Sequence, residues 1–103
     1  MGLPMKIRAT NRDGVTEVKV LMNHVMETGL RKDPSGQIVP ALFINEVTAK
    51  LNDKVVMQAQ WGPAVARNPY LAFKVKGSKP GDKVSISWTD SSGDARTDEA
   101  TVS

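Results

Sequence analysis

The 103-residue sequence has no cysteine and a single histidine, His24, and these two shortages exclude more chemistry than any motif present adds. Without cysteine the chain itself offers no thiolate nucleophile, no disulfide and no thiolate metal ligand. With one histidine, a zinc or iron site of ordinary type needs carboxylates and water for every other ligand. No Gly-x-Ser-x-Gly elbow occurs, Gly77-Ser78-Lys79-Pro80-Gly81 has the wrong spacing for one, and no glycine-rich phosphate cradle is present. These shortages argue against an enzyme and against a resident cofactor or metal. Aromatic residues are also scarce, so a stacking platform for single-stranded nucleic acid is missing. The 14 Lys and Arg against 11 Asp and Glu are scattered along the chain, and in the densest basic stretch, Lys74, Lys76 and Lys79, the first two read as a solvated strand face. Neither nucleic acid nor membrane is therefore an expected partner. No apolar run is long enough to span a bilayer, and Met1-Gly2-Leu3-Pro4-Met5-Lys6 has no secretory core, so export would depend on another protein.

What is present is the composition and length of one folded domain over residues 1–103, sufficient for a two-layer core without a staple. Apolar and polar residues alternate with period two, the mark of a strand buried on one face. Val18, Val20 and Met22 show it, as do Val55, Met57, Ala59 and Trp61. It recurs in Leu71, Phe73 and Val75, and in Val84, Ile86 and Trp88. A longer segment, Ala41 to Leu51, puts Phe43, Val47, Ala49 and Leu51 on one side. Shorter strands are expected at Met5 to Thr10 and Ala95 to Val102. Turn chemistry separates them at Asn11-Arg12-Asp13-Gly14, Asn52-Asp53, Lys79-Pro80-Gly81-Asp82 and Ser91-Ser92-Gly93-Asp94. The pattern predicts an all-β, immunoglobulin-like β-sandwich of about seven strands, with a small barrel as the structural rival.

Two connections exceed what a hairpin needs, His24 to Gln37 and Gly62 to Pro69, and long ordered loops are where binding residues concentrate. Pro63 and Pro69 bracket the second. His24 is expected to fix its loop by hydrogen bonds, the acidic residues to cap turns, and Met22, Met26 and Met57 to fill gaps in packing. Leu42 and Ile44 lie out of phase with Phe43 and Val47, so this strand begins apolar on both faces. Either a loop of this chain or another protein covers the second face, with Leu21 and Tyr70 extending the patch, or a β-bulge near Asn45 resets the phase and turns Ile44 inward.

The segment His24-Val25-Met26-Glu27-Thr28-Gly29-Leu30-Arg31-Lys32-Asp33 resembles the signature of the SoxZ family. So, in order, do Ile38-Val39-Pro40, Asn68-Pro69-Tyr70-Leu71-Ala72-Phe73 and Trp88-Thr89-Asp90, with Val25 standing where that family has proline. The resemblance implies a non-catalytic subunit of the SoxYZ sulfur carrier in thiosulfate oxidation. Its partner SoxY bears the cysteine that carries sulfur on a flexible arm, and other Sox enzymes are met transiently. It also implies a periplasmic location, reached as a passenger of a signal-bearing partner. The partner-contacting residues expected on these grounds are Met26, Glu27, Thr28, Gly29, Asn68, Pro69 and Tyr70 from the two long connections, together with Leu42 and Ile44. Gly29 is expected to adopt a backbone conformation closed to other residues, and Asn68 to satisfy loop amides. The competing function is an independent immunoglobulin-like adhesion or ligand-binding module.

Overall fold

The computed structural model describes residues 3–62, 64–65 and 67–103; the expectations that rested on Met1, Gly2 and Pro63 lie outside the described residues. Seven strands are formed, β1 (Lys6–Arg12), β2 (Val15–Leu21), β3 (Ile44–Leu51), β4 (Lys54–Gln60), β5 (Tyr70–Lys76), β6 (Lys83–Asp90) and β7 (Ala95–Thr101), and no helix occurs among the described residues. They pair antiparallel into a three-stranded sheet, β1-β2-β5, and a four-stranded sheet, β4-β3-β6-β7. Two separate sheets, not a closed ladder, make this an immunoglobulin-like sandwich and remove the barrel rival.

The core follows from the alternation. Thr16, Val18 and Val20 of β2 point inward and meet Val47 and Ala49 of β3 and Val84, Ile86 and Trp88 of β6, all essentially without solvent exposure. Each fully buried aliphatic side chain contributes roughly 1.5–3 kcal/mol of transfer free energy. Thr16 is the polar member of this row, and its hydroxyl is satisfied by Ser78 Oγ at 2.5 Å and by a hydrogen bond donated from Asn11 Nδ2 at 3.0 Å. Without those partners its burial would cost on the order of 1–3 kcal/mol.

The third strand departs from expectation. It begins at Ile44, not Ala41, and its pairing with β6 slips between Ile44 and Glu46, which makes Asn45 the extra residue of a β-bulge. Ile44 thereby enters the core with no exposure, and Phe43, half-buried, stays outside the strand. The doubly apolar strand start is thus resolved inside the domain. Ile44 is corrected from a partner-facing residue to a core residue, because the bulge restores the phase that the sequence breaks.

Topology gathers the long connections. The chain crosses between sheets from β2 to β3 and again from β4 to β5, and Leu21 pairs with Tyr70 while Ile44 pairs with Asp90. The end of β2, the start of β3, the start of β5 and the β6–β7 turn therefore share one pole. One long side of the sandwich is sealed by Asn11 N–H donating to the Ser103 carbonyl at 2.9 Å, Ser103 N–H to Ala9 at 3.0 Å, and Met5 N–H to Asp98 Oδ2 at 3.0 Å.

Candidate functional site

The first long connection leaves β2 at Met22 and is stitched to its surroundings by backbone bonds. Glu27 and Leu42 form an isolated antiparallel bridge, with N–H to carbonyl distances of 2.7 and 3.0 Å. Beyond it Lys32 and Ile38 form a second bridge around Asp33-Pro34-Ser35-Gly36. Asp33 Oδ1 closes this turn by accepting from Ser35 N–H, Ser35 Oγ and Gln37 N–H. The long connection is thus a small two-rung ribbon, which explains how so many residues hold a fixed path without regular strands.

Gly29 sits at φ 84°, in the left-handed region, and a Cβ built there would lie 3.2 Å from the Ala41 side chain. Conformation and close approach both require glycine at this position. Asn68 is left-handed too, at φ 50°. Its Oδ1 accepts from His24 N–H at 3.1 Å, and its own N–H donates to the His24 carbonyl at 2.9 Å. Asn68 therefore satisfies loop amides and ties the second connection to the first. Pro69 is buried beside it, and its carbonyl accepts from Met22 N–H at 2.9 Å.

His24 is the hub. Its ring is buried, meets Trp88 edge-on with centroids 4.8 Å apart, places Nε2 3.0 Å from Asp90 Oδ2, and rests Nδ1 against the Val25 carbonyl. Asp90 Oδ1 accepts from Ser92 N–H, Ser92 Oγ and Asp94 N–H, capping the β6–β7 turn. Burial pushes the Asp90 carboxyl upward, but the hydrogen bonds from His24, Ser92 and the two amides outweigh it and hold the group below the ordinary carboxylate range. One side chain thus joins a turn, a loop and the core.

Glu27 is a second junction. Its carboxylate accepts from Arg31 Nη2 at 2.9 Å and Arg31 Nε at 3.1 and 3.2 Å, and Arg67 Nη2 of the other connection lies 3.9 Å away. The bonds from Arg31, supported by the charges of both arginines, hold the carboxyl below its ordinary range against the opposing effect of burial. Sequence reading missed both arginines as partners of Glu27. The four-residue spacing from Glu27 to Arg31 is a helical signal, yet here it spans an irregular loop.

The expected residues divide by exposure. Glu27 and Pro69 are buried and Gly29 is partly covered. Met26 packs against the core, and its Sδ accepts from Ile44 N–H at 3.4 Å. Thr28 faces solvent and its Oγ1 caps the Leu30 amide at 3.0 Å. Leu42 is half-buried on the Glu27 bridge and Tyr70 is 61% exposed opposite Leu21. Two apolar side chains that had not been singled out as contact residues also stand in solvent, Leu30 at 85% and Ile38 at 61%. Exposed leucine and isoleucine on an ordered loop are the signal that could have found them.

The chain is thus an immunoglobulin-like sandwich whose pole is a packed collar of loops, with His24, Asp90 and Glu27 engaged by partners within the fold. The chain belongs to the SoxZ family: the family model described as Sulphur oxidation protein SoxZ matches residues 5–101. Its role therefore lies in sulfur oxidation. No curated protein matches the chain.

Proposed function

We propose that this chain is the non-catalytic subunit of a SoxYZ-type sulfur carrier, pairing with a SoxY-like protein and presenting the arm whose cysteine bears the sulfur. The observation that carries this reading is the lack of any cysteine in a chain of a sulfur-oxidation family. A covalent sulfur carrier needs a thiolate, so the sulfur must ride on another chain. The periplasm is the compartment that goes with this assignment, the chain travelling with its signal-bearing partner.

The loop collar supports the reading because its hydrogen bonds fix the backbone while leaving apolar side chains outward, the anatomy of a preorganised docking surface. Leu42, Thr28 and Tyr70, with Leu30 and Ile38 beside them, form the proposed contact surface. Met26, Glu27, Gly29 and Pro69 act beneath it by setting its shape, and Asn68, itself exposed, ties the two connections together. Ile44 acts only through the core.

Co-expression with the cysteine-bearing partner tests the assignment. The pair should co-purify and support thiosulfate-dependent turnover, and Tyr70→Ala and Leu42→Asp should weaken pairing at least about tenfold, a loss in keeping with centrally placed interface residues. Equal pairing by both variants would remove these residues from the contact. An isolated chain that binds its target without such a partner would favour an independent adhesion module.

A further inference from the structure

The outer face of the three-stranded sheet gathers charge that the linear sequence disperses. Register places Lys6, Leu21 and Tyr70 in one row across β1, β2 and β5, then Arg8, Lys19 and Ala72, then Thr10, Glu17 and Lys74, then Arg12, Val15 and Lys76. These are the outward-facing positions of the three strands. Six cations stand against one carboxylate, a local excess of five positive charges, whereas the whole chain carries a net three, so the remainder is net negative by two. Only Lys19 is paired on this face among the described residues, to Glu17 at 3.4 Å, and both side chains are about half exposed.

We propose that this face docks an acidic protein surface, transiently and by charge. Arg8 lies directly across from Lys19, an opposition of like charges that costs stability in the free sheet and is relieved by an anionic partner. Lysine on exposed edges also serves to block aggregation; here arginine as well as lysine carries the edge charge, on β1 and β5 alike, while Lys19 of the central strand is balanced by Glu17. Six cations in four rows exceed what one small oxyanion can engage at once, and suit several carboxylates on a matching surface. A lone aromatic at one corner, Tyr70, gives no stacking platform for nucleic acid. Permanent interfaces are depleted of charge at their centre, so a field this dense belongs to a partner that is steered in and released.

The test is a titration of the full-length ¹⁵N-labelled chain with an octaglutamate peptide at low salt, with octaglutamine, duplex DNA and phosphatidylserine vesicles as comparators. Octaglutamate should saturate and shift amides of β1, β2 and β5, with affinity falling as salt rises. The double variant Arg8→Glu with Lys76→Glu brings the local excess from five to one and creates an attractive pair with Lys19. It should fold normally and bind at least about tenfold more weakly, while Lys50→Glu on the other sheet should change affinity less than about twofold. Binding equally lost in Lys50→Glu, shifts without preference for this face, equal binding of octaglutamine, or tighter binding of DNA or vesicles at these residues would overturn the proposal.

Discussion

The loop-bearing pole and the outer face of the three-stranded sheet are held in opposite ways. At the pole, polar side chains are committed inward: His24 to Asp90, Asp90 to its turn, Asn68 to the His24 amide, Glu27 to Arg31. On the sheet face the cations extend into water, with one pairing among them. The pole therefore spends its polar groups on shape and exposes apolar side chains, whereas the face spends its apolar groups on the core and exposes charge. Substitutions should separate accordingly: changes to the buried polar groups of the pole should cost stability, and changes to the cations of the face should cost association by charge.

The largest effect should come from confusing the two roles of the third strand. Ile44→Asp places a carboxylate in the core and should cost about 4 kcal/mol or more, abolishing cooperative thermal unfolding, while Leu42→Asp should fold. If Ile44→Asp melts like the parent chain, the bulge at Asn45 is misplaced. Next comes Asp90→Ala, which strips the partner of a buried histidine and the cap of a turn. A loss of about 2–3 kcal/mol is expected, read as a Tm lower by roughly 10–20 °C in a domain of this size. Gly29→Ala should lose about 1–2 kcal/mol through its left-handed backbone and the contact with Ala41, and denaturant titration would register it.

Acid should act on the structural carboxylates, those of the pole among them, without touching the cations. The carboxyls of Glu27, Asp33, Asp82, Asp90 and Asp98 all sit below their ordinary values in the fold. Their contribution is thus fully present above the unfolded-state values and is lost as pH falls through the folded ones. Stability should hold from neutrality to about pH 4 and decline below it, and Asp90→Asn should flatten that decline. A melting temperature that rises on acidification from pH 5 to 3 would contradict the assignment. Smallest of all, Arg8→Glu should change stability by no more than about 0.5 kcal/mol, being an exposed substitution that replaces a repulsion by an attraction.

The alternation of Val18 with Val20 and of Val84, Ile86 and Trp88 was enough to place strands and their buried faces, because burial of one face imposes period two on a strand directly. Ala41 to Phe43 misled, since apolar residues that pack on a bridge to Glu27 look the same in sequence as residues of a ladder. Gly29 was readable because left-handed backbone selects residue type locally, and Asn68 because its short amide suits capping of loop N–H groups, though its own left-handed backbone was not foreseen. The contacts of His24 with Asp90 and of Glu27 with Arg67 were not, as both join segments brought together only by the crossovers between sheets. The charged face was hidden for the same reason: each strand shows its basic parity, but stacking Arg8, Lys19 and Lys74 on one surface requires knowing that β2 lies between β1 and β5.

The central claim is that sulfur rides on a partner thiol while this chain shapes and presents it. Intact-mass measurement of the co-purified pair after thiosulfate-driven loading tests it directly. Sulfur-containing mass additions are expected on the cysteine-bearing partner and none on this chain, with no turnover by this chain alone. An adduct on this chain, or thiosulfate turnover without the partner, would contradict it.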